Sequence, residues 1–321
     1  MANHRKMGAV TLATIGRWGR SANLECRKIV LSVAVWLFLS PAALGQQLPP
    51  LFTPQHGNVI AMMTNLSSSM STMHRQDLEI RLEPDFDTTV NRLTDKAAAL
   101  AVVPSAITKD KRQALRSITR LDTAKVLLLA RRGAQPLSPT VPTTVSVWPT
   151  LFGGGTLAAI AEAAGLNWQY VPWTDDSAPT NASAILVLGP MPETLTQSVN
   201  ENALRIVNLD DAPATRDALF QHYRPTVASA WDYPGIIVSN ALVPTIEIDL
   251  LLAINGDSKT KPLQWLVLAL MSPGTTTSRQ WENASGCVET PGWLRYSEVG
   301  ALWKQQGAPA CPPSVNPPWA Q

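Results

Sequence analysis

The sequence predicts an α/β protein of two lobes, each a mostly parallel sheet with flanking helices, joined through a hinge of two crossing segments. Three observations predict it: apolar runs of strand length alternate with amphipathic helical stretches, the alternation occurs in two series, and each series ends at a Pro-rich segment. With 321 residues, 45% of them hydrophobic and 16% charged, the chain is long enough for two lobes and too apolar for a disordered or nucleic-acid-coating protein.

After an irregular leader, "LPPLFTPQHG", the segment "NVIAMMTNLSSSMSTMH" carries Val59, Ile60, Met63, Leu66, Met70 and Met73 at helical spacing. These methionines share a face with Val, Ile and Leu and read as core, not as a soft-metal site. "LEIRLEP" alternates with period two and reads as a strand. "DFDTTVNRLTDK" reads as a helix capped by Asp85, "AAALAVVP" as a buried strand, "SAITKDKRQALRSI" as a polar helix and "AKVLLLARRG" as a further strand. The prolines and threonines of "GAQPLSPTVPTT" suit a crossing segment.

The second series is strand "TVSVW", a glycine turn, helix "TLAAIAEAAGL", strands "NWQYVPW" and "AILVLGP", helix "PETLTQSVNEN", strand "LRIVNLD" and helix "PATRDALFQH". It closes on a second crossing segment, "YRPTVASAWDYPG". Beyond it "IIVSNALV" reads as a strand and "PTIEIDLLLAING" as a helix. "PLQWLVLALM" reads as an apolar helix of 10 residues, too short to span a bilayer. The expected division is a leader at 1–45, lobe 1 at 46–133, lobe 2 at 134–234, and a return to lobe 1 with a C-terminal tail at 235–321.

The net charge of +2 hides an uneven distribution. Residues 1–45 hold six Lys or Arg and one acid, leaving 20 basic against 23 acidic residues and a mildly acidic body with no call for a nucleic-acid partner. Behind Arg27 and Lys28 comes the apolar run "IVLSVAVWLFLS", then "PAALGQQ", with Ala43 and Gly45 as the small residues of a cleavage site. This reads as a signal peptide cleaved near Gly45, which places the mature chain in the periplasm; the alternatives are an uncleaved anchor or a misplaced start. Cys26 departs with the leader. Cys287 and Cys311 remain, an even number suited to one disulfide worth about 3 kcal/mol in an oxidising compartment.

Chemistry-bearing residues are sparse. "FGGGTLAA" lacks the Lys-Ser/Thr of a phosphate loop and the GxGxxG spacing, and no GxSxG, HExxH or DxDxDG occurs. His56, His74 and His222 have no second His or nucleophile within helical reach, and Asp210-Asp211 sits where a helix N-terminus favours acids. An enzyme, a metal site or a cofactor is therefore not expected. Two readings of Gly153, Gly154, Gly155 and Thr156 stay open: a cradle presenting backbone N–H groups and a hydroxyl to a carboxylate, or a tight turn with Thr156 as helix N-cap. Trp231 and Tyr233, in the second crossing segment, suit either a cleft wall or packing between lobes.

In ordered combination these stretches resemble the TAXI-type extracytoplasmic solute receptors of TRAP transporters, relatives of the type 2 periplasmic binding proteins. "VNRLTDKAAALAVVPSAI" is similar to that family's helix and "Gly-Glu-x-Asp-Leu-Ala-hydrophobic-x-Gln-Ser-Asp" strand, and "VSVWPTLFGGGTLAAIAEAAGL" to its "Gly-x-Pro-x-Ser-Gly-Thr" turn. "AILVLGPMPET", "LRIVNLDD" and "AWDYPGIIVSNALV" resemble its later strands and its "Thr-Tyr-Pro" crossing. The matching positions are Ser105, Gly155, Thr156, Gly189, Pro190 and Tyr233. The resemblance implies a small anionic solute, an amino or organic acid, held by backbone and hydroxyl donors. It implies no cofactor, and as partners the membrane permease subunits of a TRAP transporter. The sequence departs from the pattern where Val103 or Pro104 replaces the glutamine and Gly154 the serine. The family's opening strand and Gly-Gly-x-Tyr-Tyr loop are also unmatched, the leader passing almost directly into the first helix.

Overall fold

A computed structural model of the chain describes residues 48–55, 57–74, 76–173, 179–201, 203–238, 240–257, 266, 290–296 and 299. The signal sequence, Cys287 and Cys311, and all but Leu266 of the apolar 262–271 segment lie outside the described residues. No helix among the described residues is long and apolar enough to cross a membrane.

The first half opens with strand β1 (Leu51–Pro54) and helix α1 (Gly57–His74), whose Val59, Met63, Leu66 and Met70 form one fully buried stripe. Strand β2 (Ile80–Glu83) leads to helix α2 (Phe86–Thr94). Asp85 caps α2 by accepting from the Thr88 N–H at 2.7 Å, and Phe86, Val90 and Leu93 turn inward. Strand β3 (Leu100–Pro104) is buried throughout, and helix α3 (Lys109–Gln113) makes the short turn into strand β4 (Leu115–Arg131).

The second half contains β5 (Thr143–Trp148), α4 (Gly153–Ala164), β6 (Trp168–Tyr170), β7 (Ala184–Leu188), α5 (Glu193–Asn200), β8 (Leu204–Ile206) and α6 (Pro213–His222). Helix α4 ends at Gly165, whose φ of 64° is the left-handed stop that glycine adopts without a Cβ penalty. Strands β9 (Arg224–Ala228) and β10 (Val243–Asn255) complete the chain's ten strands among the described residues.

All ten strands belong to one continuous sheet, in the order β2-β1-β3-β10-β4-β7-β5-β6, with β9 on β10 and β8 on β4. Each half has a parallel trio, β2-β1-β3 and β6-β5-β7, as expected of crossover α/β units. The antiparallel pairings belong to the long connectors. Residues 115–125 of β4 pair with β10, and residues 126–130 pair with β7. A single strand thus serves both sheets, and the transfer between halves takes place inside β4, upstream of the Pro-rich 133–144 segment. One buried cluster runs through both halves, from Val59 and Met63 through Phe86 to Phe152, Leu157 and Leu219.

Four expectations are corrected. The leader is not wholly irregular: Leu51–Pro54 is a strand paired with both β2 and β3, so the opening strand that seemed unmatched is present. The polar helix ends at Gln113, and Leu115, Ile118 and Leu121, three residues apart as on a helix, lie instead at the start of β4, where register shifts in its pairing with β10 skip Ile118 and Leu121. The "IIVSNALV" stretch forms turns in its described residues. "PTIEIDLLLAING" is strand β10: Ile246, Ile248, Leu250, Leu252 and Ile254 are all buried at period two. Leu251 and Ala253 are buried too, since this central strand is covered on both faces, and that conceals the alternation.

Candidate functional site

Strand β5 delivers the chain to the glycine turn at its carboxyl end, the end at which α/β sheets present ligands. A short 3-10 turn (Thr150–Phe152) precedes α4, and Gly153 has a φ of 62°. The helix has no side-chain cap of its own. Thr156 lies within the helix rather than at its N-cap, so the capping reading of that residue is corrected. The cap comes instead from the other half of the molecule: Asp87, in the first turn of α2, accepts a hydrogen bond from the Gly155 N–H at 3.0 Å through Oδ2.

The glycines make this approach possible. A Cβ on Gly153 or on Gly155 would overlap the Asp87 carboxylate, and one on Gly154 would stand 3.0 Å from the Tyr170 ring. Phe86 and Phe152, adjacent to the two partners, stack with ring centroids 4.9 Å apart and bring α2 onto the turn. Burial pushes the Asp87 carboxyl above its ordinary range. The Gly155 N–H pulls it back in part, the charge of Asp85 adds to the rise, and Lys111 and the Gly154 N–H oppose it. Burial, with the charges of Asp87 and Asp85, likewise raises the Tyr170 phenol. Thr156, in the same first turn, is 1% exposed, and its hydroxyl has no hydrogen-bond partner among the described residues.

The other predicted residues fall elsewhere. Ser105, at the carboxyl end of β3, is buried; its hydroxyl accepts from the Asp249 N–H at 3.0 Å and its carbonyl from the Trp293 indole N–H at 3.0 Å. Asp249, itself buried, accepts from the Thr290 hydroxyl at 2.7 Å and from Arg224 at 3.3 Å, and Arg120 stands 3.8 Å away. Burial and the nearby Arg224 lower the Arg120 guanidinium, while Asp249, Glu247 and Asp122 offset them.

Gly189 and Tyr233 meet at a third place, both donating to the carbonyl of Lys125, at 3.0 and 3.2 Å. Pro190 is exposed beside them, and Trp231 is 97% exposed at the tip of a turn pinned by Asp232, Ser229 and Lys125. Of the predicted residues, Gly153 and Gly155 lie against the Asp87 carboxylate, with Gly154 and Thr156 in the same helical turn. Asp87 is the residue at the glycine turn that the sequence reading missed. Its place in the first turn of α2 is explained locally by the helix dipole, and its partner lies 68 residues away.

A polar cavity of about 100 Å³ lies between α3, α4 and α6, lined by Lys109, Arg112, Glu162, His222 and Tyr223. Burial raises the Tyr223 phenol strongly. Glu162 and the carbonyl ends of α4 and α6 balance the cations there. No group of three or more His, Cys, Asp or Glu that could hold a metal occurs among the described residues.

No protein-family model and no curated protein matches the chain. Among solved structures it is similar to the ATP phosphoribosyl transferase (HisG:HisZ) complex from Thermotoga maritima, at 13% identity over 69% of this chain and 98% of that chain, with a TM-score of 0.39. It is also similar to the GluR0 ligand-binding core from Nostoc punctiforme in complex with L-glutamate, at 12% identity over 80% and 98% of the two chains, with a TM-score of 0.39. A periplasmic substrate-binding protein of an ABC transporter from Coxiella burnetii matches at 15% identity over 74% and 99%, with a TM-score of 0.36. Likeness at this level assigns neither ligand nor activity, which rest on the site itself.

Proposed function

We propose that the chain is an extracytoplasmic solute-binding receptor that captures a small carboxylate, an amino or organic acid, at the glycine turn of α4 and delivers it to the permease subunits of a TRAP-type transporter. The observation that carries this reading is the carboxylate already seated there. Two glycines make room for it, a helix N-terminus faces it and the Gly155 N–H donates to it. Export through the basic and apolar leader, with cleavage near Gly45, belongs to the same reading, as does a disulfide between Cys287 and Cys311.

A second reading has its own support. Ser105 is covered by Trp293 and bonded to Asp249, so one expected donor already has internal partners, and Asp87 fills the other seat. On that reading the chain is a binding-protein fold that no longer captures solute and serves as an envelope sensor or protein-interaction module. A thermal-shift screen of the exported chain against amino acids and small organic acids separates the two. A saturable rise of the melting temperature, worth roughly 2.7 kcal/mol at a hundredfold excess over Kd, supports solute capture. A flat panel on folded protein favours the second reading.

A further inference from the structure

We infer that the polar cavity between α3, α4 and α6 is a second binding site, built for a small zwitterion: an amino acid whose carboxylate meets Lys109 and Arg112 and whose ammonium group meets Glu162. The inference stands apart from the solute-binding reading, since the cavity shares no residue with the glycine turn.

Three observations carry it. First, the two signs of charge come from different elements. Lys109 and Arg112 are three apart on α3 and so share a face of that helix, His222 adds an imidazole at the end of α6, and Glu162 stands on α4. Arg112 and Glu162 both act on the Tyr223 phenol, one lowering and one raising it. Yet among the described residues none of these four charged or titratable side chains makes an ion pair or a hydrogen bond. What separates them is a cavity of about 100 Å³, against about 30 Å³ for one water molecule in the liquid. Second, Arg112 is braced. It is half-buried, and Gly292 lies against its guanidinium, where an added Cβ would stand 3.0 Å from Nη1. Third, the remaining lining is apolar in body: Ile107, Ala159 and Tyr223 are all buried, and they offer a surface to the methylene groups between two charged ends. A plain anion would face Glu162, and a plain cation would face Lys109 and Arg112. A molecule that carries both signs satisfies each wall.

The test titrates glycine, β-alanine and γ-aminobutyrate, whose charge separation grows one methylene at a time, into the exported chain and reads the melting temperature. Acetate and methylammonium serve as the single-charge halves. At least one of the three zwitterions raises the melting temperature saturably, and neither half does so at the same concentration. Glu162→Gln, Lys109→Gln and Arg112→Gln each raise that zwitterion's Kd at least about tenfold, the loss of one charge-assisted contact. The first two change exposed side chains and serve if the third does not fold. No response to any of the three zwitterions, an acetate response equal to theirs, or an unchanged Kd in Glu162→Gln and Lys109→Gln overturns the site. The two proposals fail separately. An acid that binds wild type and both exposed-residue variants alike keeps solute capture and removes this site. A zwitterion that needs Lys109 and Glu162, on a chain whose acid affinity does not respond to Thr156→Val, keeps this site and removes capture at the glycine turn.

Discussion

Two aspartates, Asp249 in the core and Asp87 half-buried at the glycine turn, are held in different ways. The carboxylate of Asp249, on central strand β10, accepts from Thr290 and Arg224 through one oxygen, while the other oxygen stands 3.8 Å from Arg120 and has no hydrogen-bond partner among the described residues. Asp87 spans from α2 to the glycine turn, where the Gly155 N–H donates to it at 3.0 Å with the Gly154 N–H beside it and a second carboxylate, Asp85, nearby. A carboxylate buried among cations and donors belongs to the architecture, and removing it leaves those partners stranded. A buried charge that is under-compensated is one that the fold tolerates for another reason. The comparison moves the search for function away from the better-connected aspartate.

The largest way to break this contrast is Asp249→Ala. It removes the acid to which Thr290 and Arg224 donate and the carboxylate 3.8 Å from the buried Arg120, and is expected to cost about 3 to 5 kcal/mol, read as a lower midpoint in urea denaturation. A cost below that of an ordinary surface change would erase the distinction. Next in size, Thr156→Val removes an unpartnered buried hydroxyl. It should raise stability by about 1 kcal/mol while weakening acid binding by about 1.5 to 3 kcal/mol, an opposition measurable by denaturation and titration calorimetry on one sample. Loss of both together would mean that the hydroxyl has a structural partner.

The smallest effect is a slope. Because the Asp87 carboxyl is raised in the folded chain, the native state holds its proton at pH values where the unfolded chain has released it. Its contribution therefore favours folding below the ordinary carboxylate range and declines as pH rises through the raised value. Asp87→Asn removes that decline, so the difference in stability between wild type and variant should shift in the variant's favour on going from pH 4 to pH 7. A shift in the other direction would show the carboxylate to be well compensated after all.

Much of the architecture was legible in the sequence because the signals were local. The Asp85 cap, the apolar stripe of α1, the buried run of β3 and the glycine turn each announce themselves within a few residues. Strand β10 did not, since burial on both faces turns an alternating strand into a nearly continuous apolar run that a helix also accommodates. Strand β1 was too short and too close to the leader to stand out. At the site the glycines were legible as a place of close backbone approach, but not what approaches them. Asp87 obeys the rule for acids in a first helical turn, so its local position held no surplus to explain. Tyr233 and Gly189 looked like ligand contacts, and they converge instead on the Lys125 carbonyl.

The shared strand β4 has a mechanical consequence. In a hinge made of loops, two halves swing apart with little loss of bonding, because the moving residues hold few ladder contacts. Here the residues at the boundary, Lys125 and Val126, are bonded as strand to β10 on one side of the boundary and to β7 on the other. A wide swing would have to twist or unzip a ladder on both sides at once. A recognition event at the glycine turn is therefore expected to report itself through displacements of a few ångströms within one rigid sheet, on the scale of a side chain rather than of a lobe.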